Sequence, residues 1–120
     1  MDPRQLQRKA HEASELLKAL GNEHRLMILC QLLERERSVG ELVRLVGLGQ
    51  SALSQHLARL RRDGLVHTRR SAQTIYYSVA GAHARALLET LHRLYCDLDP
   101  AFEAQALRDA TASEPPRLSV

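Results

Sequence analysis

The stretch SVGELVRLVGLGQSALSQHLARLRRDGLVHTRRSAQTIYYSV, from Ser38 to Val79, predicts a helix, a tight turn, a second helix and a two-stranded hairpin. Ser38 and Glu41 have the spacing of a capping box, so the first helix should begin there. Gly47 can end that helix in a left-handed conformation. The second helix should begin near Gln50, because its leucines then recur at helical spacing on one face.

The outer face of the second helix is polar but uncharged over its first two turns. Its side chains are Gln, Ser and His rather than the Glu and Lys that are usual on a solvated helix. They can donate and accept hydrogen bonds without a fixed charge, as recognition of base edges in the major groove requires. A polar surface helix without a ligand is the alternative, but the preceding turn and the following hairpin favour DNA. The residues predicted to meet base edges are Gln50, Ser51, Ser54, Gln55 and His56.

The hairpin is predicted to run through Leu65–Thr68 and Thr74–Val79, since apolar and polar residues alternate in the second segment. Arg69, Arg70 and Gln73 should then lie at its tip and project beyond the body of the protein. Basic residues at the tip of a hairpin that follows a recognition helix suggest contacts with the DNA backbone or minor groove.

Further helices are predicted near Arg4–Leu20, over Glu23–Glu34 and from about Ala82 to Leu98, because leucines recur at helical spacing in each. Asn22 is the predicted cap of the second of these. The first and last of these carry more apolar surface than one small core requires. The economical solution is a two-fold homodimer that presents two recognition helices to successive major grooves of a palindromic operator. The predicted fold class is therefore mainly α with a small β-hairpin, a dimeric winged helix-turn-helix. One domain over residues 1–109 and a mobile tail over 110–120 are expected.

Composition limits the possible functions. The chain has 120 residues, a net charge of +3 and no tryptophan. Its basic residues cluster between Arg59 and Arg70, which favours a local nucleic-acid surface over a nonspecific coat. The scarcity of aromatic residues argues against stacking on single-stranded bases. No signal peptide and no membrane-spanning run is visible, so a cytoplasmic protein is expected.

Two segments, LKALGNEHRLMIL and QSALSQHLARLRRDGLV, resemble the ArsR family of bacterial repressors. The resemblance covers roughly residues 14–96, and the second segment is its most specific part. It implies a dimeric winged helix that represses transcription and leaves double-stranded DNA when an inducer binds. By the same resemblance, the DNA contacts are Gln50, Ser51, Ser54, Gln55 and His56, with Arg70 and Gln73 in the wing.

The metal sites of this family do not match the sequence. The ELVRL helix lacks the Cys-x-Cys pair of metal-sensing members. The last helix offers His83 and His92, but Gly81 and Tyr95 stand where the other zinc ligands would be needed. No metal and no cofactor is therefore predicted.

The two cysteines, Cys30 and Cys96, are the remaining candidates for a sensor. A permanent disulfide is not expected in a cytosolic protein, and small buried side chains are the ordinary role of free cysteines. Cys30 fits that role, because it shares a helix face with leucines. Cys96 fits it less well: His92 and Arg93, one turn earlier, could stabilise a thiolate, although two nearby aspartates oppose this.

The positions of Cys30 and Cys96 resemble the sulfide-responsive branch of the family, of the BigR and SqrR type. That resemblance implies that both thiols react with persulfide or another reactive sulfur species and that DNA is then released. Oxidation to a disulfide by peroxide, or a metal or metalloid response, are the alternatives within the family. A protein-binding winged helix would need a hydrophobic or acidic recognition face, which is lacking. An enzyme using Cys96 and His92 is not predicted, because no oxyanion site or orienting third group is visible.

Overall fold

The computed structural model of the chain describes residues 1–96 and 108. The helices and strands, in chain order, are α1 (Pro3–Leu20), α2 (Glu23–Glu34), β1 (Arg37–Ser38), α3 (Val39–Val46), α4 (Gln50–Arg62), β2 (Val66–Ser71), β3 (Thr74–Val79) and α5 (Ala82–Tyr95). The protein is thus mainly helical with a small antiparallel sheet, as predicted. None of the described helices has the length and apolar character needed to cross a membrane.

The local signals at the helix starts act as the sequence predicts. Asn22 caps α2, since its side-chain oxygen accepts the backbone N–H of Arg25 at 3.1 Å. Ser38 and Glu41 form a complete capping box: the Glu41 N–H donates to Ser38 Oγ at 3.2 Å, and the Ser38 N–H donates to Glu41 Oε1 at 3.3 Å. Gly47 ends α3 with a φ of 76°, in the left-handed region that favours glycine. The turn between α3 and α4 is therefore fixed by short-range interactions.

The core forms around α2, which packs against α3, α4 and β3. Completely or almost completely buried side chains from these elements and from α5 include Ile28, Leu29, Leu32, Leu42, Leu53, Leu57, Leu60 and Leu88. Full burial of such a side chain stabilises the fold by about 1.5–3 kcal/mol. Because three of these leucines belong to α4, the predicted recognition helix is held rigidly by its inner face.

The sheet has three antiparallel strands in the order β1-β3-β2, so the prediction of a two-stranded hairpin was incomplete. β1 pairs Arg37 with Tyr77 and Ser38 with Tyr76. A strand of two residues has no measurable alternation, which is why periodicity gives no sign of it.

The hairpin also differs from the prediction at its tip. Arg69 and Arg70 lie within β2, and the turn itself is only Ala72 and Gln73. Ala72 adopts a positive φ of 55°, which a two-residue hairpin turn demands. Ile75, the first apolar residue of the alternating segment, is exposed because the hairpin has already passed beyond the body of the protein at this position.

The last helix, α5, is described as far as Tyr95, with Cys96 directly after it. Its predicted extension to Leu98 lies outside the described residues, and so does the predicted domain boundary between residues 109 and 110. Residues Met1–Glu89 form one compact unit, and the remaining described residues belong to a second.

Candidate nucleic-acid interface

The outer face of α4 presents most of the predicted base-contacting side chains to solvent. Leu53, Leu57 and Leu60 are buried on the inner face. This orientation leaves Gln50, Ser51, Ser54 and Gln55 exposed. The arrangement gives amide and hydroxyl groups with both donor and acceptor capacity on one surface, as major-groove recognition requires.

His56 lies at the edge of this face and is only half-buried. Its ring centroid is 5.9 Å from that of His24 on α2. Burial, together with the positive charges of Arg25, His24 and Arg59, lowers the pKa of His56 below its ordinary value. The neutral ring is thus favoured where α2 meets α4, and a base contact by His56 stays a prediction.

The wing presents Arg70 and Gln73, and both are exposed. Arg70 Nε donates to the backbone oxygen of Ala72 at 3.3 Å, which holds the side chain beside the turn. Arg69, one residue earlier, is instead bound to the carboxylate of Glu36. Of the two adjacent arginines, Arg70 therefore has the position that suits a phosphate contact.

The basic end of α4 is partly neutralised within the chain. Asp63 Oδ2 lies 3.6 Å from Arg59 Nε, and Asp63 Oδ1 lies 3.7 Å from Arg62 Nε. Arg61 is exposed. These residues give the C-terminal part of α4 a moderate positive charge, suited to DNA phosphates next to the bases that its first turns would meet.

The two thiols differ in exposure. Cys30 is half-buried on α2, whereas Cys96 is exposed. The Cys96 N–H donates to the His92 carbonyl at 2.8 Å, so the helical hydrogen bonding of α5 reaches this residue. In the part of the chain that the structure describes, no group of three or more His, Cys, Asp or Glu side chains could hold a metal ion.

Comparison with known proteins identifies the family. The profile described as "Bacterial regulatory protein, arsR family" matches residues 22–68. The transcriptional activator HlyU of Vibrio cholerae is 54% identical over 96 residues, which are 80% of this chain and 89% of that protein. The chain belongs to the ArsR family. The biofilm growth-associated repressor of Xylella fastidiosa is 43% identical over 91 residues, covering 76% of this chain and 80% of the relative.

Solved structures of ArsR-family proteins have the same fold. Reduced HlyU from Vibrio cholerae superposes with a TM-score of 0.75 at 55% identity, over 78% of this chain and 98% of that one. The transcriptional repressor BigR from Xylella fastidiosa gives a TM-score of 0.71 at 42% identity, over 80% and 98% of the two chains. This ArsR-family protein is accordingly a DNA-binding transcriptional regulator with a winged helix, and its relatives are named as regulators rather than enzymes.

One side chain that supports the helix-turn-helix of this ArsR-family protein, Arg37, is absent from the sequence-based prediction. Arg37 is buried: its Nε donates to the Gln31 carbonyl at 3.2 Å, and its Nη2 donates to Glu34 Oε2 at 3.2 Å. Arg37 Nη1 also lies 3.7 Å from Glu41 Oε2 on α3. The end of α2 is thereby tied to the first helix of the helix-turn-helix. An arginine in a charged ERER segment gives no sign of burial in the sequence.

Proposed function

We propose that this protein is a homodimeric repressor that binds a palindromic operator and releases it when Cys30 and Cys96 react with a persulfide. The observation that carries the proposal is the placement of one thiol on α2, the helix that packs against the DNA-reading elements, and the other directly after α5. The resemblance to the sulfide-responsive branch of the family supports the same chemistry.

DNA recognition is assigned to α4 and the wing. Gln50, Ser51, Ser54, Gln55 and His56 would meet base edges, and Arg70 and Gln73 would meet the backbone or minor groove. The exposure of six of these seven side chains supports the assignment. The name of the Xylella relative, a repressor, supports repression, whereas the Vibrio relative is named an activator. A regulator that blocks or displaces another protein at a promoter can have either effect.

Exposed apolar side chains on both terminal helices support the proposed homodimer. Leu6 and Leu17 on α1 are 59% and 58% exposed, and Leu94 and Tyr95 on α5 are 44% and 75% exposed. Large apolar side chains that are this open to water favour association. A second copy bound through these helices would cover them and would place two α4 helices about one DNA turn apart, roughly 34 Å.

The sulfur chemistry requires no external oxidant beyond the persulfide. Each thiol first accepts a sulfur atom from a persulfide, and the donor leaves as a thiol. The terminal sulfur of one modified cysteine then attacks the Sγ atom of the other. That step expels hydrosulfide and leaves a bridge of three sulfur atoms. Exposure of Cys96 favours its reaction with a small donor, since thiol modification depends on access as well as on thiolate character.

The position of Cys30 explains how such a bridge could affect DNA binding. Cys30 lies on α2, which contacts α3 and α4 of the helix-turn-helix and β3, the middle strand of the sheet. A covalent bond at Cys30 therefore acts on an element that supports α3, α4 and β3 together. A packed core passes such a displacement on rather than absorbing it.

The experiment measures release from a duplex that the wild-type protein has selected from a randomised DNA pool. We expect persulfide to release the wild type, and Cys30→Ser and Cys96→Ser to bind that duplex but to remain bound after treatment. Intact-mass analysis of the treated wild type should show retained sulfur and the loss of both thiols. Normal release of either single variant would contradict the two-thiol mechanism.

Parallel reactions with hydrogen peroxide, zinc and arsenite separate the alternatives. Release by peroxide with a mass decrease of two hydrogens would favour a disulfide switch. A structure of the Vibrio relative is described as that of the reduced protein, which makes this comparison necessary. Release by zinc or arsenite, but not by persulfide, would restore a metal response.

The proposed dimer has a test of its own. Leu94→Asp should sediment as a monomer, because a dimer would bury the charge of the aspartate without a partner.

A further inference from the structure

The side chain of Arg69 crosses the whole width of the sheet. Arg69 lies on β2, but its Nε atom donates to Glu36 Oε2 at 3.1 Å, and its Nη2 atom donates to the other oxygen of the same carboxylate. Glu36 lies directly before β1, at the opposite edge of the sheet. On the way, the guanidinium group passes over the ring of Tyr76 on the middle strand, 4.8 Å from its centroid.

The ion pair lies where the wing leaves the body of the protein. Arg69 pairs with Tyr76 in the β2–β3 ladder, and only the pairs Arg70–Ile75 and Ser71–Thr74 lie beyond it before the turn. The residues of that outer part are exposed. β1, which attaches the sheet to the helix-turn-helix, contributes only two residues. Few backbone interactions therefore fix the direction of the wing, and the Arg69–Glu36 pair supplements them.

The ion pair also determines which of the two adjacent arginines, Arg69 or Arg70, has a positive charge available to DNA. The hydrogen bond from Arg69 lowers the pKa of the Glu36 carboxyl below its ordinary value, and the carboxylate raises the pKa of Arg69 in return. Both groups are hence charged at neutral pH and neutralise each other. Arg70 instead donates to the backbone oxygen of Ala72 in the turn, so its charge stays available to DNA.

We propose that Glu36 and Arg69 are positioning residues for DNA binding: their ion pair over Tyr76 sets the wing so that Arg70 and Gln73 reach the DNA. The inference rests on the proposed wing contacts and deepens them. It makes an acidic residue a positive determinant of DNA affinity. Simple electrostatics predicts the opposite, because removal of a negative charge near a polyanion should strengthen binding.

The sign of the effect of Glu36→Gln is therefore the decisive measurement, made on the duplex selected by the wild-type protein. We expect about fivefold weaker binding, because the wing is then held less firmly in the position that reaches DNA. Glu23→Gln is the control: it removes the same charge from an exposed side chain in the first turn of α2 rather than beside the sheet. The control should bind equally or slightly more tightly. Binding of Glu36→Gln at wild-type strength or tighter would overturn the proposal.

A second set of variants tests whether the pair acts through the wing. Arg70→Gln alone should weaken binding and reduce the slope of log affinity against log salt by about 1. In the Arg70→Gln background, Glu36→Gln should have little further effect. A full additional fivefold loss would mean that the pair supports the fold and not the wing contact, which overturns the positioning role alone. Unchanged binding by Arg70→Gln would contradict the wing contact itself and the positioning role with it.

The pair can also be exchanged without changing net charge. The double variant Glu36→Arg/Arg69→Glu keeps an ion pair across the same strands, whereas each single change places like charges together. We expect both single variants to bind more weakly than Glu36→Gln and the double variant to recover most of the lost affinity. Thermal unfolding of all variants provides the folded fraction. A double variant as weak as the product of its single changes would exclude the pair as the cause.

Discussion

Replacing Arg25 with methionine should lower the free energy of unfolding by about 2 kcal/mol. The side chain is 7% exposed. Its Nε donates to the Ala19 carbonyl at 2.7 Å, and its Nη2 donates to the Lys18 carbonyl at 3.0 Å. Both carbonyls belong to the last turn of α1, where intrahelical partners are lacking. Methionine keeps an unbranched apolar stem but has no donor.

The magnitude follows from two opposing terms. Hydrogen bonds that involve a charged group contribute about 1.5–3 kcal/mol each, so two of them give about 3–6 kcal/mol. Burial lowers the pKa of Arg25, which means that desolvation of the guanidinium group offsets part of this gain. Water can also reach a helix terminus once the side chain is gone. About 2 kcal/mol should remain, equivalent to a fall of about 8 °C in Tm for a domain of this size.

The assay is urea unfolding followed by far-ultraviolet circular dichroism at one fixed protein concentration, because dimerisation would make stability concentration-dependent. Arg8→Met, at an exposed position of α1, is the control and should change stability by less than about 0.5 kcal/mol. A similarly small effect of Arg25→Met would refute the assignment of Arg25 as the group that satisfies the end of α1.

Three further outcomes are expected. Gln55→Ala should lose about 1–3 kcal/mol of discrimination between the selected duplex and random DNA, measured by fluorescence anisotropy; an equal loss on both duplexes would contradict a base contact. The folded-state pKa of His56 lies below its unfolded value, so the unfolded chain binds more protons as pH falls through about 6.5 and stability declines. His56→Gln should therefore lose less Tm than the wild type between pH 8 and pH 5.5, and an equal loss would contradict the lowered pKa of His56. Ser38→Ala should cost about 1 kcal/mol in urea unfolding through loss of the α3 cap, and a neutral result would show that the capping box does not limit stability.

The sequence alone determined the helical framework and the exposed face of α4 that we propose meets DNA. The spacing of leucines predicted α2 and α4, and Asn22, Ser38 and Gly47 marked helix ends that the structure confirms. The same spacing predicted which side of α4 is buried, and thus the exposure of Gln55 on the other. These features depend on interactions between residues three or four apart, so a short segment contains all the information.

The tertiary structure decided how the wing and the helix ends are held. β1 exists because β3 lies beside it, and its two residues carry no pattern of their own. Arg69, predicted at the tip of the wing, is drawn to Glu36, 33 residues earlier in the chain, and Arg25 meets carbonyls of a different helix. Packing of the core brings distant segments of the chain together. The resulting arrangement determines which charged residue of a basic or mixed segment forms an ion pair or a hydrogen bond. The local sequence does not contain that information, because the contact forms only after the loops between the segments have closed.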